Sequence, residues 1–184
     1  MAADLIPHEG DLEPDEDYEG VLFGDASFDG GRLRKARFTG VTLHETRFVG
    51  SDLAETGWQD VTLSGCALAG VQAFSASMRR VTFRGCKLDS VNLRSGTLTD
   101  VTFEDCLLRD AEFGGAALRR VSFGGCTLAR ADFAKATCAE VDLRGAELGI
   151  SGGYESLRGT TIDSVQLVAL APLLARHLGI TVTD

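Results

Sequence analysis

Residues 61–80 read VTLSG CALAG VQAFS ASMRR, and residues 81–100 read VTFRG CKLDS VNLRS GTLTD. Set one above the other, the two lines repeat Val, Thr, Gly and Cys at matching places. The third place of nearly every group of five is large and apolar. Working outward, the same phase runs from residue 21 to residue 150 without an insertion, which is twenty-six pentads. A second period of twenty lies over the first. Valine opens a pentad at 21, 41, 61, 81, 101, 121 and 141, and cysteine does so at 66, 86, 106 and 126. Thr42, Thr62, Thr82 and Thr102 follow at the same interval, and Ser122 continues them.

In each pentad the first residue is small, the third is large and apolar, and the second between them is polar. That is the alternation of a short strand with places one and three facing inward. The two remaining residues, often including glycine, turn a corner. A helix cannot use a strict period of five, because such residues march around a 3.6-residue turn and leave no single face. Collagen is excluded because glycine does not fall at every third residue. A chain that bends every five residues and repeats every twenty is a square coil of four pentads per turn. Equivalent residues then stack at roughly 4.8 Å. The fold class predicted is an all-β solenoid with a short α-helical cap at its C-terminal end.

The cysteine column follows from this geometry. Cys66, Cys86, Cys106 and Cys126 share a place with Ala26, Thr46 and Ala146, which are also small, and free cysteine packs as a small hydrophobe. Metal sites want convergent ligands, usually with histidine or CxxC spacing. His8, His44 and His177 do not accompany the column. The ladder is therefore expected to be reduced, inward and metal-free. No histidine is tied to a nucleophile by motif, and no glycine-rich phosphate loop leads a strand into a helix. No catalytic residues, metal or cofactor are assigned, and the chain is read as a non-enzyme.

Charge divides the chain into three. Residues 1–20 hold eight acids and no Lys or Arg, residues 21–150 hold sixteen acids and sixteen bases, and residues 151–184 hold three acids and two bases. The first segment reads as a solvated, disordered acidic arm. The second reads as the repeat body, and the third as a last partial turn with a helical cap or dimerisation segment. No run of eighteen apolar residues predicts a membrane span, and no basic, apolar leader is expected. The expected location is the cytoplasm. In the third segment Asp163 or Ser164 is a helix cap, Pro172 kinks that helix or starts a second, and Gly179 ends it. Val165, Leu167, Leu170, Leu173, Leu174 and Leu178 are its candidate dimer interface. Covering the open coil end is the other role for the same segment.

Surface letters carry less information. Asp60, Arg80, Asp100, Arg120 and Glu140 occupy one stacked column with alternating signs, which predicts an ion ladder between coils. Arg79 and Arg119 sit beside it. Direct nucleic-acid binding would call for a more basic body. At 71–75 Ala73 replaces the large centre, so Phe74 is either exposed at an outward corner or folded back to fill the space. Trp58 at an inward centre predicts a local core rearrangement. Phe74, Glu104, Asp105, Asp110 and Glu112 are the candidate interaction surface.

The pentads SDLAE (51–55), VNLRS (91–95), ADFAK (131–135) and VDLRG (141–145) resemble the A(D/N)LXX unit of pentapeptide-repeat proteins. The resemblance covers residues 21–150 and implies a right-handed quadrilateral β-helix. Several members of that family bind DNA gyrase or topoisomerase IV, imitate the shape and charge of duplex DNA, and protect cells from quinolones or natural gyrase poisons. Those members are acidic rods that dimerise through a C-terminal segment. The resemblance thus implies a protein-interaction rod, homodimeric, with a type II topoisomerase as partner and neither nucleic acid nor membrane bound directly. A scaffolding protein with an unrelated protein partner is the alternative. This chain departs from the acidic pattern: residues 101–184 hold eleven acids and eight bases, and residues 21–100 hold eight acids and ten bases.

Overall fold

The computed structural model describes residues 6, 7 and 10–183. The chain winds as a right-handed β-solenoid of parallel, stacked coils closed by one α-helix. Between the two ends of the coil, partners across coils are twenty residues apart on every side. Gly57–Ser64, Ser77–Arg84, Thr97–Glu104 and Ala117–Gly124 are the long strands, and they pair in register, Thr62 with Thr82, Thr82 with Thr102 and Thr102 with Ser122. The other two sides are held by single bridges such as Ala67 to Lys87 and Gln72 to Asn92. The four faces are numbered here by their pentads: the first carries residues 21–25 and equivalents, the second 26–30, the third 31–35 and the fourth 36–40.

The corner between faces has one conformation throughout. Every fifth residue from Asp15 to Gly145 has a positive φ, between about 50° and 75°. At most corners its amide donates to a carbonyl of the next coil, as from Asp25 to His44 at 3.1 Å, Gly65 to Arg84 at 2.9 Å and Ser95 to Gly114 at 2.9 Å. The left-handed residue swings the chain through the corner, and the hydrogen bond holds it there.

Side chains fill the interior. The rings of Phe83, Phe103 and Phe123 stack with centroids 4.8 and 5.0 Å apart, and Phe113 stacks on Phe133 at 4.8 Å. Cys66, Cys86, Cys106 and Cys126 are 0–1% exposed, and all five cysteines are free thiols. The thiols of Cys66, Cys86 and Cys106 donate to the carbonyls of Leu43, Leu63 and Phe83 at 3.5–3.6 Å. Trp58 needs no rearrangement of the coil. It stacks on Phe38 at 4.4 Å, and its indole N–H donates to Thr56 Oγ1 at 2.8 Å.

The acidic segment corrects the sequence reading. Asp17–Glu19 pairs with Arg37–Thr39 as another piece of coil, and Tyr18 stacks on Phe38 at 5.3 Å. Leu12 is buried, Asp15 takes a left-handed corner, and Asp17 pairs with Arg37 at 3.0 Å. Ile6–Pro7 adds to Val21 and Leu22, while residues 1–5, 8 and 9 of the expected arm lie outside the described residues. Net charge misled because the carboxylates point outward, whereas Tyr18 and Leu12 alone decide whether the segment docks.

At the other end the register slips by one residue, Val141 pairing with Thr160 and Asp142 with Thr161. A 3-10 turn, Tyr154–Leu157, follows Gly153, whose left-handed backbone lies so close to Phe133 that a Cβ would overlap it. A single helix, Ser164–His177, then continues across Pro172, so no second helix starts there. Asp163 and Gln166 form a capping box with both hydrogen bonds at 2.9 Å. Gln166 Nε2 also donates to the carbonyls of Leu143 and Ala146 at 2.6 and 2.7 Å, satisfying the open edge of the last coil. Leu170 is buried beneath the helix, which packs on the strand Glu147–Gly149.

The left-handed corner gives a direct test at Ser75, which is exposed with φ 56°. Ser75→Val should lower stability in urea denaturation by about 1–2 kcal/mol, because a β-branched residue resists this backbone. Ser75→Gly should be neutral or stabilising. Equal losses for both would place the cost elsewhere.

Candidate interaction surface

With the interior filled, the chemistry of this chain lies on its faces and ends. The outward places are two, four and five of each pentad. On the first face these hold Asp25, Glu45, Glu104, Asp105 and Asp142 against Arg84 and Arg144, a net of −3. The fourth face holds Arg37, Arg79, Arg80, Arg119 and Arg120 against Asp17, Glu19, Asp60, Asp100 and Glu140, a net of zero. The acidic excess of the first face is therefore not shared by the side that adjoins it. The acidic side is thinly charged beside a duplex, which carries one negative charge per ~1.7 Å.

Most arginines are already paired to the next coil. Arg80 bonds Asp60 at 2.7 Å through Nη2, Arg120 bonds Asp100 at 2.9 Å, Arg130 bonds Asp110 at 2.6 Å, and Arg109 bonds Asp89 at 3.1 Å. The alternating column is thus resolved into discrete pairs. Hydrogen bonds from these arginines hold the carboxyls of Asp60, Asp100 and Asp110 below the usual aspartate value of 3.8. Arg47 does the same for Asp29, and Arg144 for Asp142. Arg79 and Arg119 make no ion pair among the described residues and remain the free cations of the fourth face.

The candidate surface residues are not brought together. Glu104 and Asp105 lie on the first face, Asp110 at the corner of the second, and Glu112 on the third. Glu104 is bound by Arg84 at 2.9 Å and Glu112 by Arg94 at 3.3 Å, which leaves Asp105 as the one of the four acids without an ion pair among the described residues. Phe74 is half-buried at its outward corner. The guanidinium of Arg34 lies over its ring, 5.4 Å from the centroid. The two side chains meet across Ala54, an outward-column residue that they leave fully buried. Sequence reading could not foresee this contact, because it joins residues forty apart over a small residue between them.

The helical segment divides as well. Val165, Leu167 and Leu178 are 77%, 53% and 70% exposed, and Val168, Ile180 and Val182 extend the apolar patch. Leu173 and Leu174 are half-buried. Leu170 is corrected: at 1% exposure it belongs to the packing of helix on coil, and it has no surface to offer a partner. Val168, Ile180 and Val182 were not among the candidates, although Val168 was legible as an apolar letter on the side of the helix away from Leu170; Ile180 and Val182 follow the helix end.

The described surface has shallow depressions. One of about 320 Å³ lies on the fourth face where Gly57 leaves a gap between Arg37 and Ser77, with Arg79 at its rim. Two more, about 230 and 220 Å³, lie at the two ends of the coil, beside Cys138 and beside Phe28. Among the described residues no group of three or more His, Cys, Asp or Glu side chains is placed to hold a metal ion. Among the described residues no helix is long and apolar enough to cross a membrane.

Two family models match the chain. One, described as a pentapeptide repeat region, matches residues 56–133, and the other, described as pentapeptide repeats (8 copies), matches residues 19–55. No curated protein matches it. Among solved structures the chain is similar to a trypsin-treated variant of QnrB1, described as a plasmid-mediated fluoroquinolone resistance protein. The identity is 17% over 97% of this chain and 96% of that one, with a TM-score of 0.60. HetL, a pentapeptide repeat protein involved in heterocyst differentiation regulation in the cyanobacterium Nostoc sp. strain PCC 7120, matches at 16% identity over 84% of this chain and 93% of that one, with a TM-score of 0.38. A pentapeptide repeat protein of the Arabidopsis thaliana thylakoid lumen matches at 18% identity over 82% and 75%, with a TM-score of 0.35. The likeness to the QnrB1 variant establishes a shared fold.

The lowered carboxyls set a pH dependence. A depressed folded value means that the pairs add stability above the unfolded value and lose it as pH falls through the folded one. Stability should therefore be flat from pH 7 to 5 and decline below the aspartate value of 3.8. Added salt should shrink the difference between pH 6 and pH 3, because exposed pairs are screened. Denaturant midpoints across pH at low and high salt measure both.

Proposed function

Because the chain belongs to the pentapeptide-repeat family, we propose that it is a non-catalytic protein-interaction rod whose partner is a type II topoisomerase, DNA gyrase or topoisomerase IV. The observation that supports an interaction role is the division of the molecule. Packing consumes the interior, and most of the exposed large apolar residues lie on the terminal helix and the residues that follow it, Ile6 being the exception. The partner class rests on the family's gyrase-binding members and on the fold shared with a fluoroquinolone resistance protein. Contact is through protein surface, with the thinly acidic first face offered in place of a duplex.

The rod is a homodimer in this reading. Val165, Leu167, Val168 and Leu178 are large, apolar and more than half exposed on one terminal segment. Such a patch is favourable to cover, and a two-fold junction covers it with itself. The scaffolding alternative keeps the dimer and changes the partner.

Light scattering of the wild type should give twice the chain mass. Val168→Glu should give a folded monomer with an unchanged β-sheet spectrum, whereas Leu170→Glu should destabilise the cap itself. A wild-type monomer at high micromolar concentration removes the dimer.

Titration of gyrase supercoiling, with and without a quinolone, tests the partner. Inhibition or protection is expected at a few-fold molar excess of rod. No effect there leaves the scaffold as the better reading.

A further inference from the structure

The inward column of the fourth face runs Tyr18, Phe38, Trp58, Met78, Leu98, Leu118 and ends at Cys138. Each earlier member is covered by the strand of the next coil. Above Cys138 the coil has already broken into the turn Tyr154–Leu157, so its thiol is only half-buried while the other four are closed off. A cleft of about 230 Å³ opens beside it, lined also by Thr137, Glu155, Ser156, Arg158 and Gly159. Ser156 is 7% exposed, and its hydroxyl has no hydrogen-bond partner among the described residues. A buried hydroxyl left unpaired calls for a partner from outside the chain. Arg158 is exposed and makes no ion pair among the described residues. A reachable thiol, a waiting hydroxyl and a free guanidinium therefore share one concave site.

We propose that this cleft is a thiol-exchange site, at which Cys138 takes up a small organic disulfide bearing carboxylates and forms a reversible mixed disulfide. Arg158 gathers the anionic reagent, and Ser156 bonds a polar group of the half that stays. Cys138 loses its proton and its sulfur attacks one sulfur of the reagent. The reagent's S–S bond breaks as the new S–S bond forms, so Cys138 is oxidised and the departing sulfur is reduced and takes a proton. A thiol of the same class reverses the step. Burial pushes the Cys138 thiol up, so the exchange rate should go on rising past the ordinary thiol value of 9.0. The site also touches the cap. Glu155 lies 3.8 Å from His177, and the Tyr154 ring is 5.2 Å from the His177 ring, so a group seated in the cleft presses on the turn that holds the end of the helix.

The test uses the full chain under native conditions with glutathione disulfide as the anionic probe and hydroxyethyl disulfide as the neutral one, read by intact mass and peptide mapping. One adduct per chain is expected, on Cys138, and none in Cys138→Ser or Cys138→Ala. Arg158→Ala should slow the anionic probe about threefold or more while changing the neutral rate by less than about twofold. The proposal is overturned if no adduct forms where a free small thiol reacts, if a ladder cysteine reacts before Cys138, or if Arg158→Ala slows both probes alike or neither.

Discussion

A left-handed residue at every fifth position is the constraint on which the rest of this structure depends. From Asp15 to Gly145 it recurs without a gap, and most of the residues that adopt it are not glycine. Such a conformation costs an L-residue roughly 1–2 kcal/mol. The coil carries this strain because through most of its length the corner amide finds a carbonyl in the next coil and because each corner brings another apolar centre into the stack. The strain also selects its occupants. Gly, Asp, Glu, Ser, Lys and Arg fill the corners, and no β-branched residue does.

Charge follows from that selection. Fourteen corners carry an ionisable side chain, and all point outward in columns only one coil apart. Like charges stacked so closely would repel, and the chain answers with pairs such as Asp60 with Arg80, Asp100 with Arg120 and Asp110 with Arg130. The near-neutral body is thus a consequence of stacking rather than of any partner. What charge remains is uneven, negative on the first face and balanced on the fourth.

The ends obey a different rule. Within the coil every backbone group and apolar centre is covered by a neighbour twenty residues away. At the C-terminal end Gln166 satisfies the last carbonyls, Leu170 fills the last gap, and the helix is left with an apolar outer side. At the same end the interrupted coil leaves Cys138 and Ser156 facing a cleft. The apolar patch and the polar cleft of this end therefore both arise where the repeat stops.

The repeat itself was legible in the sequence, because a coil of fixed period writes its contacts locally. The phase of the pentads, the twenty-residue register, the buried cysteine ladder and the stacked phenylalanines all follow from counting. Everything that breaks the period was hidden. The acidic segment looked like an arm until Tyr18 was seen on Phe38, and Leu170 looked available until the helix was seen lying on the coil end. Phe74 and Arg34 meet across Ala54 although no short-range pattern joins them. Sequence alone determined which residues face inward, since that depends only on position within a pentad. The tertiary structure decided which outward residues are free, because an outward side chain is claimed or released by its neighbours in other coils, and the helix lying across the coil end is set by no repeat.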